Sequence, residues 1–315
     1  MSCSTYSKSD HFDGKVFFNP NGPSTKSFWD VLKWKWNSEP VKWPEQVGNK
    51  EYPFRKLTTG DKAVVTFINH ATFLVQLPGL TFLTDPVFSQ RASPFKFAGP
   101  KRVRGPGLDL ENLPPIDLVV ISHNHYDHLD IESLKIIDGK FHPLFIVPLG
   151  DEKLLKKEGL QNVKEMDWWE HTIVKDTKVT FTPSQHWSSR SLWDKCESLW
   201  GAYQVGPIYF GGDTGYADHF KETRIRLGAP EIALIPIGAY EPRYFMKDHH
   251  MDPTEAVQAH IDLEAQKSFG MHFGTFQLTD EGIEEPVERL KEARTRRGLI
   301  EESFSVLDQG ESYVH

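Results

Sequence analysis

From Ala63 onward, short apolar runs rich in β-branched residues alternate with polar turns, a pattern typical of β-strands. Three runs stand close together at Ala63–Ile68, Thr72–Leu77 and Leu80–Thr84. Pro78-Gly79, between the last two, predicts a tight turn. We therefore expect a β-meander at the start of the folded domain.

After the meander, strand-like and helix-like segments alternate, which is typical of mixed sheets covered by helices. The predicted strands are Asp117–Ser122, Leu144–Pro148, Lys178–Thr182, Leu199–Val205, Ile208–Phe210 and Ile232–Ile237. The predicted helices are Ile131–Ile137, Glu152–Glu158, Ala217–Leu227, Pro253–Glu264 and Pro286–Arg296. These elements predict an α/β sandwich of two mixed β-sheets packed face to face, with helices outside and functional loops along one edge.

The chain of 315 residues shows no internal repeat and no long Gly/Ser linker that would divide it. We expect one domain over residues 61–315 and an N-terminal extension, residues 1–60, that packs on the sandwich. Asp252-Pro253-Thr254-Glu255 marks a helix start, because Asp caps the helix, Pro fits its first position and Glu completes a capping box.

The formal net charge of -8 argues against a general nucleic-acid binder, because binding to the phosphate backbone depends on clustered Lys and Arg. The two cysteines, Cys3 and Cys196, make a disulfide framework improbable and fit a reducing compartment. No apolar run has the length of a signal peptide or a bilayer span. The sequence therefore predicts a soluble, cytoplasmic protein, at most peripheral at a membrane surface.

The predicted strand Asp117–Ser122 leads directly into a dense cluster of metal-ligand residue types. His123, His125, Asp127 and His128 lie within six consecutive positions. Imidazole nitrogens and carboxylate oxygens suit zinc and neighbouring metals, and a loop after a strand can direct side chains toward two ions. A solvated polar loop would not need this density, so the cluster predicts a metal site.

Three later residues could complete such a site, and each follows an apolar or aromatic run. They are His186, Asp213 and His272, each expected at a strand end. Any one of them alone would more often be an ordinary hydrogen-bonded residue. Together with the first cluster they form a set of seven candidate ligands.

This order of residues, His-x-His-x-Asp-His followed by a distant His, Asp and His, resembles the ligand order of the metallo-β-lactamase superfamily. Within it, the sequence most resembles the phospholipases D that hydrolyse N-acylphosphatidylethanolamine. The blocks that carry this resemblance include Asn69–Thr72, Leu83–Pro86, Ser122–Asp130, Thr182–Trp187, Gly212–Tyr216 and Pro236–Met246. The fold implied is the metallo-β-lactamase αβ/βα sandwich.

The resemblance implies two divalent metal ions, with zinc expected first and iron or manganese as alternatives. It assigns His123, His125 and His186 to one ion, Asp127, His128 and His272 to the other, and Asp213 to both. Two adjacent cations lower the pKa of a shared water and clamp the oxygens of an in-line displacement. The expected reaction is attack by a metal-bridging hydroxide on a phosphodiester, giving N-acylethanolamine and phosphatidic acid.

Other residues are candidates for supporting roles. Besides the ligand Asp127, we expect His250 to act in catalysis, by orienting or protonating a substrate atom. Asp85 and His70 are expected to hydrogen-bond to the metal-binding groups. Tyr126, Tyr240 and His249 are the candidate substrate contacts.

Two segments suggest contact with a phospholipid or its membrane. Phe28–Trp36 mixes aromatic residues with lysines, as interfacial helices do, although a helix that covers the sandwich explains it as well. Lys96, Lys101, Arg102 and Arg104 would form a basic patch suited to anionic headgroups, or an ordinary solvated loop. A homodimer is a further expectation.

Three other functions fit parts of the sequence. The same ligands could serve a lactonase or another ester hydrolase, and activity on phosphodiesters but not lactones would separate the two. A β-lactamase is less favoured, because the cysteine ligand frequent in those enzymes is absent and Asp213 takes the bridging position. A non-catalytic metal or lipid sensor would be expected to lack ligands, whereas all seven are present.

Overall fold

Two β-sheets of seven strands each form the centre of the fold in the computed structural model. The structure describes residues 6–20, 22, 29, 33–34, 36 and 38–315. Within these residues the strands, numbered along the chain, are β1 (Val64–Asn69), β2 (Thr72–Leu77), β3 (Leu80–Thr84), β4 (Leu118–Val120), β5 (Leu144–Pro148), β6 (Val163–Met166), β7 (His171–Val174), β8 (Thr177–Thr182), β9 (Ala202–Val205), β10 (Ile208–Phe210), β11 (Ile232–Pro236), β12 (Lys267–Met271), β13 (Phe304–Ser305) and β14 (Ser312–Val314).

Both sheets are mixed. The first has the order β14-β1-β2-β3-β4-β5-β6, antiparallel from β14 to β3 and parallel from β3 to β6. The second has the order β13-β12-β11-β10-β9-β8-β7, parallel from β13 to β10 and antiparallel from β10 to β7. Parallel strands end at the same edge of their sheet, so the loops after β3 and β4, and those after β10, β11 and β12, can share one functional edge.

The α-helices among residues 38–315 are α1 (Ile131–Phe141), α2 (Glu152–Lys157), α3 (His219–Leu227), α4 (Arg243–Met246), α5 (Pro253–Leu263) and α6 (Glu285–Arg296). Short 3-10 helices lie at Leu110–Asn112 and Glu301–Ser303. Leu134 and Ile137 of α1 pack in an apolar layer on the outer face of the first sheet. In the described part of the chain, no helix has both the length and the apolar character needed to cross a bilayer.

The larger apolar core lies between the sheets. Phe67 and Phe73 from the first sheet and Phe181 and Tyr203 from the second are fully buried there. Burial of a large aromatic or aliphatic side chain contributes about 1.5–3 kcal/mol. The two sheets therefore form a fixed frame for the loops at their edge.

The fold class predicted from the sequence is confirmed, as are the meander and the capped start of α5. The Asp252 carboxylate accepts hydrogen bonds from the backbone N–H groups of Thr254 and Glu255, and the Glu255 carboxylate accepts one from the Asp252 N–H. This helix start could be predicted because the residues that form the capping box lie within four consecutive positions.

Strands β6, β7, β13 and β14 and the single-turn helix α4 were not predicted. All four strands lie at sheet edges. β13 and β14 have only two and three residues, and β6 and β7 carry exposed side chains, Lys164 in β6 and His171 and Ile173 in β7. Such short, half-exposed runs lack the continuous apolar pattern of a central strand. Predicted strand Asp117–Ser122 is shorter in the structure, where β4 spans Leu118–Val120.

The described part of the N-terminal extension packs on the sandwich. Phe12 and Phe17 join the core between the sheets, and the Tyr6 hydroxyl lies 2.7 Å from a Glu165 carboxylate oxygen. Asn19 donates its side-chain N–H to the His186 carbonyl at 2.9 Å and accepts from the Trp200 indole at 3.1 Å. The extension thus contacts the loop that carries a predicted metal ligand.

His11 should make this packing depend on pH. Its Nδ1 lies 2.6 Å from an Asp10 carboxylate oxygen and its Nε2 lies 2.7 Å from Asp167. Burial alone would lower the pKa of His11, but the two carboxylates raise it above 6.5. The stabilisation is therefore complete below pH 6.5 and is lost as the pH rises through the folded-state pKa.

We expect amide hydrogen exchange over residues 11–18, corrected for intrinsic rates, to show more protection at pH 6 than at pH 8. Asp167→Asn should remove most of the difference, because it removes the more buried carboxylate partner. Equal protection at both pH values in the unaltered protein would contradict this role of His11.

Candidate metal centre

Histidine and aspartate side chains from six loops meet at the edge where strands of both sheets end. The residues are His70 after β1, Asp85 after β3, the His123–His128 segment after β4, His186 after β8, Asp213 after β10 and His272 after β12. The structure thus brings together all seven residues predicted as ligands.

Three imidazoles form the first group. Nε2 of His123 lies 2.9 Å from Nδ1 of His125, which lies 3.3 Å from Nε2 of His186. Nitrogens bound about 2.1 Å from one zinc ion with tetrahedral geometry lie roughly 3.4 Å apart. The three nitrogens are therefore spaced to share one cation.

A carboxylate and two imidazoles form the second group. Asp127 Oδ2 lies 3.4 Å from Nε2 of His128 and 3.3 Å from Nε2 of His272. The two Nε2 atoms are 3.2 Å apart. This spacing also suits a single cation.

Asp213 lies between the two groups. Its Oδ2 is 3.1 Å from Nε2 of both His128 and His272, and 3.9 Å from Nε2 of both His123 and His186. Its Oδ1 is buried and forms no hydrogen bond with the described residues. A carboxylate in this position can contact cations on both sides.

The hydrogen bond of its outward-facing nitrogen determines the tautomer of His186. His186 donates its Nδ1–H to the His249 carbonyl oxygen at 3.0 Å. A carbonyl only accepts, so the proton is on Nδ1 and the lone pair of Nε2 points into the cluster. This is the arrangement that metal-binding histidines commonly have.

Asp85 orients one histidine from each group. Its Oδ2 accepts the Nδ1–H of His128 at 2.6 Å and the Ser122 hydroxyl at 2.5 Å. The same hydroxyl oxygen lies 2.9 Å from Nδ1 of His123, whose N–H it can accept. One buried carboxylate therefore holds His128 directly and His123 through Ser122.

His70 supports the second group from the other side. Its Nε2 lies 3.0 Å from Asp127 Oδ2, and its ring centroid is 4.0 Å from that of His272. The His70 carbonyl also accepts the His272 backbone N–H at 2.7 Å. His70 thus holds the side-chain carboxylate of Asp127 and the backbone of His272 in place.

The three imidazoles of the first group are neutral. Burial lowers the pKa of His123 and His186 well below 6.5, and it lowers that of His125 to about 4. A neutral imidazole has a lone pair available for a metal. The ring nitrogens of this group are therefore available to bind a metal ion.

The second group attracts positive charge. Burial acts to lower the pKa of His272, but the Asp213 and Asp127 carboxylates outweigh it and raise that pKa to about 9. The same two carboxylates raise the pKa of His128 well above 6.5. A divalent cation would satisfy the same demand for positive charge.

These observations fit a site for two cations. Neutral imidazoles converge on one side of Asp213, and a carboxylate with two imidazoles that favour positive charge lies on the other. Outer hydrogen bonds hold the rings of His123, His128 and His186. A donor set of five imidazoles and two carboxylates suits zinc, iron or manganese.

A cavity of about 290 Å³ opens onto the cluster. Its walls are largely apolar, and they include Trp34, Trp187, Phe245, Met246 and Leu278, together with the cation Lys195. Most of these residues were not predicted as site residues, because they come from segments far apart in the sequence. Three of them had a nearby signal: Trp187 directly follows His186, and Phe245 and Met246 end the block Pro236–Met246.

His249 and His250 both line this cavity. Nδ1 of His250 lies 3.9 Å from Asp213 Oδ2 and forms no hydrogen bond with the described residues. Burial lowers the pKa of His250 to about 3, so its ring is neutral near pH 7. His250 can therefore act as a neutral hydrogen-bonding group beside the cluster.

The loop that carries these histidines is held by its backbone. The carbonyls of residues 248, 249 and 250 accept hydrogen bonds from side chains of Gln185, His186 and Arg243, respectively, at 2.8–3.0 Å. Arg243 also pairs with Glu255 at 2.7 Å. The position of His250 is thus tied to the start of α5 and to the loop of His186.

Neither Tyr126 nor Tyr240 lines the cavity. Tyr240 is fully buried with the Arg289 guanidinium 5.2 Å from its ring, so the prediction that it contacts substrate is corrected. Tyr126 donates to the Arg190 carbonyl at 2.8 Å, and the Arg190 guanidinium lies 4.0 Å from its ring. That side chain lines a separate surface groove.

Two of the four cations in the predicted basic patch, Arg102 and Arg104, are buried or half-buried in the structure. Arg102 is buried and donates to the carbonyls of Ser89 and Val87, and Arg104 pairs with Glu284 at 3.0 Å. Buried carbonyl groups need donors, and the arginine fork provides them. These two arginines therefore do not form an exposed anion-binding surface.

The predicted aromatic segment Phe28–Trp36 lies mostly outside the described residues. Its described residues are Trp29, Lys33, Trp34 and Trp36. Trp34 is buried, its ring lies 5.0 Å from that of Phe245, and its indole N–H donates to Asp280 at 3.3 Å. One residue of the N-terminal extension thus forms part of the cavity wall.

Comparison with known proteins agrees with the geometry. The family described as "Beta-lactamase superfamily domain" matches residues 81–273, a span that includes all seven candidate ligands. The chain belongs to the metallo-β-lactamase superfamily.

Within the superfamily, its relatives include N-acyl-phosphatidylethanolamine-hydrolyzing phospholipases D, the family that the sequence resembles. The chain is 38% identical to "N-acyl-phosphatidylethanolamine-hydrolyzing phospholipase D 1" of Caenorhabditis elegans, over 95% of this chain and 92% of that protein. It is 41% identical to the mitochondrial protein of the same description from Saccharomyces cerevisiae, over 68% of this chain and 48% of that protein. The predicted family is confirmed.

A solved structure agrees on the fold. A metallo hydrolase of the archaeon Ignicoccus hospitalis matches with a TM-score of 0.61 and 23% identity, over 80% of this chain and 98% of that chain. The chain is a metallo-hydrolase of the β-lactamase fold.

Proposed function

We propose that this metallo-hydrolase is a phospholipase of the D type that cleaves N-acylphosphatidylethanolamine-type lipids to N-acylethanolamine and phosphatidic acid. The main supporting observation is the position of Asp213 between two groups of three ligands, at the base of a largely apolar cavity. The names of the worm and yeast relatives support the same substrate class.

When bound, two divalent cations would lower the pKa of a water molecule and neutralise charge on the phosphate oxygens. In the proposed assignment, His123, His125 and His186 hold one cation, Asp127, His128 and His272 the other, and Asp213 contacts both. Zinc is the first expectation, with iron or manganese as alternatives.

The cavity walls suit the two parts of such a lipid. Trp34, Trp187 and Phe245 offer apolar surface for acyl chains. Lys195 adds positive charge that favours an anionic phosphodiester. His250, beside Asp213, can donate a ring N–H to the oxygen on which negative charge develops as the phosphorus–oxygen bond breaks.

The proposal can be tested by incubating purified, metal-analysed protein with a panel of glycerophospholipids and lactones and identifying products by mass spectrometry. We expect N-acylethanolamine and phosphatidic acid from the N-acylated lipid. Lactone opening without phosphodiester cleavage would instead favour the lactonase function, and no turnover by metal-loaded protein would favour a sensor.

His250→Ala is expected to lower kcat on the lipid phosphodiester by about a hundredfold while metal content is retained, because all seven ligand positions are occupied by other residues. The measurement compares kcat and metal stoichiometry with those of the neighbouring variant His249→Ala. The His249 backbone carbonyl, which holds His186, is present in both variants. If His249→Ala were the damaging change, the role would move to His249, and if neither mattered, the role proposed for His250 would be wrong.

A further inference from the structure

One ligand of the first group lacks the outer hydrogen bond that holds its neighbours. Nδ1 of His123 bonds to the Ser122 hydroxyl at 2.9 Å. Nδ1 of His186 bonds to the His249 carbonyl at 3.0 Å. His125 directs its Nδ1 into the cluster, and its Nε2 is buried without a hydrogen bond to any described residue. The direction of the His125 ring therefore depends on its backbone and on packing.

The residue before His125, Asn124, is held at both its backbone and its side chain. Its carbonyl oxygen accepts a hydrogen bond from the Arg190 guanidinium at 2.8 Å, and its side-chain N–H donates to Oδ1 of Asp151 at 3.0 Å. Asn124 is 4% exposed, and its own Oδ1 forms no hydrogen bond within the described part of the chain. The Asp151 carboxylate is therefore the partner that fixes the amide between His123 and His125.

The topology places Asp151 beside the ligand segment. Asp151 follows β5, which pairs in parallel with β4, the strand that leads into His123. Parallel strands end at the same edge of a sheet, so the two loops are neighbours. Asp151 is 1% exposed. Burial of a carboxylate is unfavourable unless it accepts hydrogen bonds, and Asn124 provides one.

Asp151 does not cap the helix that it precedes. An aspartate before a helix commonly accepts N–H groups of the first turn. The Asp151 side chain forms no such bond with α2, and its backbone is already helical, with φ of -94° and ψ of -17°. Glu165 of β6 instead accepts the N–H groups of Gly150 and Glu152 at the start of α2, both at 2.8 Å. The Asp151 carboxylate is thus directed to the ligand segment and not to its own helix.

The hydrogen bond to Asn124 does not require a charged carboxyl group. Burial raises the pKa of Asp151 to about 7, so neutral and ionised forms are both populated near pH 7. Either form keeps an oxygen that can accept an N–H. Asparagine has the same acceptor oxygen, whereas alanine has none. These two replacements therefore separate the hydrogen bond from the charge.

We propose that Asp151 is a positioning residue of the metal centre, which through Asn124 keeps the His125 ring directed at the cation of the first group. The inference rests on the proposed function only in the assignment of one cation to His123, His125 and His186. Asn124 adjoins two ligands of that group in the sequence. Loss of the Asp151 bond should therefore loosen the first cation and leave the second one bound.

The test measures the release of zinc from the zinc-loaded, full-length protein to a chromogenic chelator. Asp151→Ala removes the acceptor, and Asp151→Asn keeps it. Asp218→Ala is the matched control, because Asp218 also precedes a helix, α3, without a side-chain cap bond, but is exposed. His186→Ala lacks a ligand of the first group and so identifies the release phase of the second ion. Denaturant unfolding is measured for each variant.

We expect Asp151→Ala to release the first-group ion about tenfold faster, as other supports of metal ligands do when they are removed, with little change for the second ion. Asp151→Asn and Asp218→Ala should release both ions as the unaltered protein does. Equal acceleration of both ions would show general destabilisation and overturn the proposal. Unchanged release in Asp151→Ala, or release from Asp151→Asn as fast as from Asp151→Ala, would overturn it as well.

Asn124→Ala provides an independent measurement. It removes the donor and leaves the start of α2 unaltered, so the proposal stays testable if Asp151→Ala does not fold. It should accelerate the same release phase. The double variant Asp151→Ala/Asn124→Ala should release zinc no faster than either single variant, because both changes remove one bond. Additive acceleration would mean that Asp151 acts without Asn124 and would contradict the proposal.

The positioning role and the proposed function can fail separately. Two bound ions with no phosphodiester cleavage would reject the phospholipase function, while the release rates would still decide the role of Asp151. Phosphodiester cleavage with release unaffected by Asp151→Ala would reject the positioning role alone. Fewer than two zinc ions in the unaltered protein would reject the assignment of two cations and this role with it.

Discussion

Replacing Asp213 with asparagine is expected to reduce hydrolysis by more than about a hundredfold and to lower the metal content below two ions per chain. Loss of an outer hydrogen-bond partner of a metal ligand already costs about 10–100-fold in metal affinity or activity, and Asp213 contacts both ligand groups directly. Asparagine keeps the shape of the side chain but removes the charge that would offset two cations.

The measurement combines kcat with elemental analysis of protein that was never exposed to a chelator. Asp176→Asn is the matched control, because Asp176 is exposed in a turn with φ of 66°, a conformation that asparagine adopts as readily. The unaltered protein and this control should each contain two ions of zinc, iron or manganese per chain. A fully active Asp213→Asn variant with two ions would reject the shared-carboxylate assignment.

Gly238→Ala is expected to disturb the metal centre through the backbone. A Cβ atom at Gly238 would lie 2.1 Å from the carbonyl oxygen of His272, and a backbone atom cannot rotate away. We expect stability to fall by about 1–3 kcal/mol or more and metal content to fall with it, because His272 must move.

Denaturant unfolding and elemental analysis would measure both effects. Gly139→Ala in α1 serves as the control, since its Cβ would meet nothing within 4 Å. That change should be neutral or stabilise the helix by up to about 1 kcal/mol. Equal stability and equal metal content in the two variants would show that the backbone at His272 can move with little loss of free energy.

The candidate ligands could be predicted from the sequence because each follows a strand closely. His123 to His128 stand directly after an apolar run, and His186, Asp213 and His272 repeat that position. Strand ends at one edge of a sheet lie close together, so local pattern alone predicted the proximity that the structure shows.

The cavity walls could not be predicted in this way. Trp34, Lys195 and Leu278 meet only because three distant segments fold over the same edge. Tyr240 illustrates the opposite error, since it follows a strand at the functional edge but points into the interior. Arg102 was expected at the surface as a charged residue, whereas buried carbonyl oxygens bind it inside.

The hydrogen bonds of Asp85 have a consequence for how the centre fills. Asp85 orients His128 directly and His123 through Ser122, so one carboxylate belongs to the support of both ligand groups. Loss of that carboxylate would therefore free one ring in each group at once, and neither cation would find its ligands held in place. A chain engineered to keep only one ion would therefore still need Asp85, because each ligand group depends on it.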